Sequence, residues 1–394
     1  VPGECGIEET AMMRRMLIAC FALLAASPAF AQGAKERAKE ADALFASGKV
    51  LEITIELAPK ELDALRREPR KYAKATIKEG GKVYTDVGIH LKGAAGSFRG
   101  VDDKANFTLN MDKFKEDQSF HGLDKLHLAN SLQDPSYLNE YICGIMFRDV
   151  GVPASRVAHC VVTVNGQKRG LYYIKEGYDT TWVRRNFGSA DGNFYDGGFI
   201  RELDQPLQKL SGKNDVPDHK DLKALWAAAS EPNQKLRFGK MEKVLDVDKF
   251  VSYLAMETIT WDWDGYPMNR NNYRIFHEPK KDKIVFIPSG MDQMFRDPNG
   301  PIFPNIQGAV ANRFMDTPEG KDLYVAKLRD IMDKTFKADK YAKMVDEAGA
   351  RITPEFAKVD AGAAKDYPNH VRGLREAIVQ REKTIQAQLK QLKK

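Results

Sequence analysis

The hydrophobic period of this chain changes midway along its length, from alternation at every second residue to the roughly 3.6-residue rhythm of helices. A chain written in that order is restricted to an α+β arrangement, with sheet first and helices after. From Val50, LEITIEL is strand-like, and PKELDALRRE is helical in period. YAKATIKEGGKVYTDVGIHLKG reads as two strands joined at Gly80-Gly81, and ANFTLNMD alternates Phe107, Leu109 and Met111. Asp134-Pro135-Ser136 is expected to start a helix reaching about Val150, with Tyr137, Tyr141, Ile145 and Phe147 as its buried face. The clearest hairpin is VAHCVVTVNGQKRGLYYIKE, split at Asn165-Gly166. The first half is therefore predicted to be a mainly antiparallel sheet with one or two helices.

Residues Asp191 to Pro217 are rich in Gly, Asp and Asn and read as an irregular connection. Helical patterns follow in DLKALWAAA and from near Asp246 through FVSYLAMETITW. A strand pair, NNYRIF and KIVFIP, then carries the chain to Asp292. From Pro318 onward helical periods dominate, ending in REAIVQREKTIQAQLKQLKK, a packing element with solvated charges.

The stretch from Met12 to Ala31 has Arg14 and Arg15, the apolar run LIACFALLAA, Pro28 and then Ala29-Phe30-Ala31. That is the anatomy of a secretory signal peptide cleaved after Ala31. The apolar run is about half of the roughly 20 residues that span a bilayer. The expectation is an exported protein (periplasmic, cell-surface or extracellular) with no integral membrane segment after cleavage, Val1 to Ala11 being an upstream extension. Lys and Arg total 61 against 55 Asp and Glu, a formal charge of +6. The charge is spread along the chain with no basic block among aromatics, which argues against a nucleic-acid partner. Cys5 and Cys20 lie ahead of the cleavage point, so Cys143 and Cys160 remain. Two cysteines build neither a disulfide framework nor a zinc site, and both pairing and separate burial are open.

The segment WDWDGYPMNRNNY, Trp261 to Tyr273, and the string GMDQMF around Asp292 hold the parts of a phosphoryl-transfer site. Protein kinases place an asparagine five residues after the catalytic aspartate, and Asn269 stands at that offset from Asp264. Asn272, beside the strand-forming Tyr273, is the alternative. Asp292 follows the strand KIVFIP as the metal-gripping aspartate of a kinase does. An EF-hand is not matched, because the twelfth position counted from Asp262 is Tyr273. On bare spacing the same residues also suit helix caps and turns. In the first half, LKGAAGSFRG offers Gly93, Gly96 and Ser97 as a phosphate-cradling loop. Lys104 follows it as the phosphate lysine, with Glu140 as its partner and Glu176 as an alternative partner or nucleotide contact. His90, His121, His127 and His159 have no acidic or cysteine partner at useful spacing and read as ordinary histidines.

In their order along the chain, HLKGAAGSF, LHLANSLQDPSYLNEYI, VVTVNGQKRGLYYIKEGYD, WDGYPMNRNNYRIF and FIPSGMDQMF resemble the spore-coat protein H (CotH) kinase family. The resemblance implies an atypical protein-kinase-like two-lobed fold, with an antiparallel-sheet N-lobe and a mainly helical C-lobe. It implies ATP and Mg²⁺ or Mn²⁺ as cofactors and a protein substrate, one exported with the chain or displayed at the surface. Carried over, Lys104 would hold phosphates, Asp264 would be catalytic, and Asn272, or Asn269, would bind metal with Asp292. The expected organisation is an extension and signal peptide over 1–31 and a linker or leading helix over 32–47. A nucleotide-binding N-lobe over 48–180 and a connection with the first helices over 181–245 precede a C-lobe over 246–394. One difference stands out: the resembled family often carries two aspartates here, as W-D-x-D, where this chain has Ser289-Gly290-Met291-Asp292, a G-M-D-Q form other members share, in which Asp292 alone would be the ligand. A non-catalytic surface or adhesion protein and an AMP transferase are the alternatives on the same fold.

Overall fold

The computed structural model describes residues 28–392, apart from residue 95 and residues 213–218. The apolar run and the extension read as a leader lie outside the described residues. Helix α1 (Pro28–Ala46) leads into β1 (Val50–Glu56), α2 (Pro59–Arg67), β2 (Ala73–Glu79), β3 (Lys82–Lys92), β4 (Asn106–Asn110), β5 (Lys125–Ala129), α3 (Asn139–Asp149), β6 (Val157–Val164) and β7 (Gln167–Glu176). The two glycine-bearing turns form as the sequence predicts. Asn165 and Gly166 both take positive φ, 46° and 79°, the geometry of a type I′ turn, and set Val164 opposite Gln167.

The first half forms the mainly antiparallel sheet that alternation predicts, and the sheet has no open edge. It closes into a seven-stranded barrel in the order β1-β2-β3-β4-β5-β7-β6. The closing seam is parallel, β1 running beside β6 from Val50 opposite His159 to Ile55 opposite Val164. Closure removes both sheet edges and wraps one core of Ile53, Ile77, Ile89, Phe107, Leu126, Cys160 and Ile174. Full burial of each such aliphatic or aromatic side chain stabilises by about 1.5–3 kcal/mol. Because side chains alternate along a strand, Leu91, Phe107 and Ile174 point inward while their neighbours Lys92, Asn106 and Lys175 point out at one rim.

The second half comprises α4 (Thr180–Phe187), β8 (Asn193–Asp196), β9 (Gln208–Ser211), α5 (Lys220–Ala229), α6 (Gln234–Val244), α7 (Val247–Ile259), α8 (Tyr266–Asn269), β10 (Tyr273–Glu278), β11 (Lys283–Pro288), α9 (Ala309–Met315), α10 (Pro318–Lys334), α11 (Ala338–Val359) and α12 (Ala361–Gln391). It carries a four-stranded antiparallel sheet, β11-β10-β8-β9. Strands β8 and β9 fall where the sequence reads as irregular connection. They are short, and glycines flank them because the chain passes so close to the Tyr273 ring that a side chain at Gly197 would collide with it.

Helix α3 joins the halves. It starts at Asn139, later than its Asp-Pro-Ser signal, because Tyr137 sits in the left-handed region and the Asp134 carboxylate caps from a distance, accepting from Asn139 N at 2.9 Å. Its buried face differs from the expected one: Ile142, Cys143, Met146 and Phe147 are fully buried, whereas Tyr141 and Ile145 are only partly so. Cys143 and Cys160 are separate buried thiols. Among the described residues no helix is long and apolar enough to cross a membrane.

Candidate functional site

The barrel rim and the sheet of the second half face one another across a cavity of about 430 Å³. On the barrel side its wall is Lys92, Gly93, Ala94 and Ser97 from the β3–β4 connection, Asn106 and Asn130, Glu140 of α3, and Tyr173 and Lys175 of β7. Across from them stand Asp196, Phe199, Asp264, Asn271, Asn272, Arg274, Gly290 and Asp292. The glycine-rich connection is tied to the rim by amides, Ser97 O accepting from Asn106 Nδ2 at 2.9 Å and from Asn130 Nδ2 at 3.1 Å.

Lys175 and Glu140 form a buried ion pair, Nζ to Oε1 at 2.5 Å. Burial opposes charge on Lys175, but Glu140 and Tyr178 beside it together outweigh that cost and hold the ammonium above the usual lysine range. The second carboxylate oxygen of Glu140 accepts from Met291 N at 2.8 Å, so this one side chain joins α3, β7 and the turn that presents Asp292. Among the described residues Lys92 has no ion-pair partner, and burial together with the nearby Lys175 charge lowers it to about 8.

Asp264 is held by three amides. Asn269 Nδ2 donates to Oδ1 at 2.6 Å, and Asn271 and Asn272 donate to Oδ2 at 3.1 and 2.9 Å. The β10–β11 hairpin then sets Tyr273 opposite Pro288, and Ser289 N donates to Asn272 O at 2.8 Å. Since the amide nitrogen of Asn272 is taken by Asp264, its oxygen turns toward Gly290. Gly290 has φ of +69°, and a side chain there would collide with Asn272 Oδ1. A side chain such as the first aspartate of a W-D-x-D motif is therefore disfavoured here, because this turn brings the Asn272 amide oxygen against the backbone at Gly290.

Asp292 itself is partly buried, and burial, then the Glu140 and Asp134 carboxylates, raises it to about 7. A carboxylate lifted by its neighbours in this way is one that a cation would relieve. Among the described residues no group of three or more His, Cys, Asp or Glu is arranged to hold a metal. One carboxylate with an amide oxygen suits Mg²⁺ arriving on a polyphosphate, since that ion is commonly bound through one or two carboxylates and substrate phosphates. Asp292 and Asn272 fit that role.

Of the residues singled out from the sequence, Gly93, Ser97, Glu140, Asp264, Asn272 and Asp292 line this cavity. Gly96 lies on the same connection and packs against Gln133. Asn269 supports Asp264 from outside the lining. Lys104 is elsewhere: its Nζ donates to Tyr137 Oη at 2.5 Å and lies over the Tyr137 and Tyr172 rings. Glu176 also lies outside the lining, bound by Arg156 at 2.9 Å and Arg185 at 2.5 Å. Lys175 next to it was missed. Alternation along β7 is the signal for it, because Lys175 shares the outward face with Tyr173 and Glu176 does not. Lys92, Asn271 and Arg274 were missed too, Lys92 being the last residue of β3 before the glycines.

Fold and site together define a mixed α and β protein with a cleft that gathers lysines, amides and two separated aspartates. The chain belongs to the CotH kinase protein family, which it matches over residues 89–393. It is 22% identical over 261 residues to the inner spore coat protein H of Bacillus subtilis, an alignment covering 61% of this chain and 71% of that protein. It is 21% identical over 256 residues to the invasin CotH3 of Rhizopus delemar, covering 59% of this chain and 40% of that one, so it spans well under half of the invasin. Among solved structures, the Helicobacter pylori proinflammatory kinase CtkA aligns at 10% identity with a TM-score of 0.30, over 77% of this chain and 98% of that one. Membership of the CotH family suggests a kinase-like function.

Proposed function

We propose that this chain is an exported, CotH-type phosphotransferase that uses ATP and Mg²⁺ or Mn²⁺ to phosphorylate a hydroxyl on a protein, itself exported or surface-displayed. The observation that carries this reading is the convergence of the Lys175–Glu140 pair, Asp264, Asn272 and Asp292 on one cavity. In this reading residues 48–180 serve as the N-lobe and 246–394 as the C-lobe of an atypical kinase-like architecture, with nucleotide between them. The cavity falls within the range of about 300–1,000 Å³ usual for small-molecule sites.

The chemistry assigns each group a task. Lys175, fixed by Glu140, and Lys92 neutralise the nucleotide phosphates, the role that Lys104 was expected to have. The glycine-rich connection lets backbone approach them. Asp264, its carboxylate oriented by Asn269, Asn271 and Asn272, takes the proton of the acceptor hydroxyl. The acceptor oxygen forms a bond to the γ-phosphorus as the bond from that phosphorus to the β,γ-bridging oxygen breaks, and ADP leaves. Asp292 and Asn272 would hold the divalent ion, which supplies further neutralisation of phosphate charge.

The test is the position of transferred label. Purified protein is incubated with Mg²⁺ or Mn²⁺ and ATP labelled at the γ or the α position, beside Asp264→Ala and Asp292→Ala. Transfer from γ-labelled ATP, reduced about 10²–10⁴-fold in Asp264→Ala while nucleotide binding survives, supports the proposal. Label from the α position alone points to nucleotide transfer. No label and no ATP-dependent thermal shift leave a binding protein of the surface or envelope.

A further inference from the structure

Arg381 is fully buried in the middle of α12. Its guanidinium donates to backbone carbonyls: Nη2 to Thr258 O at 2.6 Å, Nε to Ile259 O at 3.2 Å, and Nη1 to Gly300 O at 2.5 Å and Pro298 O at 3.5 Å. The carbonyls fall on two segments that share one property. Thr258 and Ile259 are the last residues of α7, where carbonyls have no partner inside the helix and the dipole is negative. Five residues beyond Ile259 the chain reaches Asp264. Pro298 and Gly300 end the strap that leaves Asp292.

Other contacts show that the strap and the loop are placed as one unit. Phe295 N donates to Thr260 O at 2.7 Å. Trp261, in the left-handed region at φ of 50°, lies with its ring 5.2 Å from the Arg381 guanidinium carbon, and a side chain at Gly300 would collide with that ring. One helical step pair further along α12, Gln388 accepts from Ile302 N at 2.8 Å and donates to Gly300 O at 3.3 Å. A buried cation hydrogen-bonded to carbonyls is an expensive way to fill a core, since an apolar side chain of similar volume avoids the desolvation. What the guanidinium supplies and an apolar side chain does not is a rigid fork that fastens two chain segments at one point.

We infer that Arg381 is a positioning residue that sets Asp264 against Asp292 by clamping the end of α7 to the strap beyond Asp292. The kinetic consequence rests on the phosphotransferase reading; the clamp itself does not. The full chain is compared with Arg381→Lys, which keeps the charge and loses the fork, by amide hydrogen exchange and by steady-state kinetics. Exchange is expected to quicken about tenfold or more in residues 258–265 and 298–302 while barrel amides keep their protection. The value of kcat should fall about 10²-fold, the scale of a 1 Å misplacement, while KM for ATP changes little because Lys92 and Lys175 are untouched. Quickening spread evenly over both halves, or a kcat equal to wild type with only a lower Tm, overturns the inference. If Arg381→Lys does not fold, Gln388→Ala decides: it should quicken exchange at residues 300–302 and spare the barrel, and unchanged exchange there contradicts the clamp. Should wild type transfer no phosphoryl group, the functional reading fails, and the exchange pattern still judges the clamp.

Discussion

Glu140 on α3 and Lys175 on β7 meet at 2.5 Å inside the cleft, although 35 positions separate them and each is almost completely buried. The other Glu140 oxygen holds Met291 N, so the pair is also the contact that seats the Asp292 turn. Breaking it leaves a buried charge alone. Lys175→Met and Glu140→Ala should each cost about 3–5 kcal/mol of unfolding free energy, and the double replacement by apolar residues should cost less than the two singles together. Denaturant titration of the four proteins measures this, and a strictly additive cycle argues that the two side chains act separately.

Gly290 stands where a paired-aspartate motif, W-D-x-D, would place its first aspartate. Introducing that carboxylate by Gly290→Asp should not strengthen metal binding. The left-handed backbone and the Asn272 oxygen oppose a side chain there, at a cost of about 1–3 kcal/mol. The expected result is a lower Tm with weaker Mg²⁺-ATP binding; tighter binding at unchanged Tm would show that the turn accommodates the second carboxylate.

His277 is held between Asp221 at 3.4 Å and Asp282 at 2.8 Å, and the Asp221 contact chiefly, against the opposing effect of burial, raises its pKa. The folded chain therefore binds this proton more tightly than the unfolded chain does. The stabilisation is complete below the unfolded value of about 6.5 and is lost as pH rises through the higher folded value. His277→Gln should flatten the fall of Tm across that window. An unchanged slope would place the titration elsewhere.

Beneath the Asp264 loop, Glu257 and Asp262 are both buried, and a side chain at Gly265 would collide with the carboxylates of both. Burial first, and for Glu257 then the facing Asp262, raises both well above the carboxylate range. The unfolded chain gives up these protons near pH 4, so stability falls as pH rises from about 4 toward the folded values. Glu257→Gln is neutral in both states, so it removes the proton the folded chain must keep, and it should gain stability over wild type as pH is raised from about 5 to about 8. Denaturant unfolding at both pH values checks it, and an equal difference at the two contradicts it.

The parts of this molecule that local chemistry dictates were legible in the sequence. Asn165-Gly166 closes its hairpin because both residues tolerate positive φ, and the β10–β11 alternation brings Asn272 beside Ser289 and thereby near Asp292. What distant pairing decides was not. The parallel β1–β6 seam joins strands about a hundred residues apart, and nothing in either strand announces its partner. Strands β8 and β9 exist because β10 offers an edge, which a glycine-rich sequence does not reveal. Which lysine pairs with Glu140 was hidden for a similar reason: Lys104 precedes β4 and Lys175 lies within β7, and only the closed barrel shows that Lys175 reaches Glu140.

The proposed function requires this cleft to bind ATP together with a divalent ion, with Lys175 on one wall and Asp292 on the other. Calorimetric titration of ATP into the protein, with Mg²⁺ and with chelator, for wild type and Asp292→Asn, tests it most directly. Wild-type binding should weaken about tenfold or more, about 1.4 kcal/mol or above, when Mg²⁺ is removed, and the Asp292→Asn variant should be indifferent to the ion. ATP binding of equal strength in all four titrations, or none in any, would contradict it.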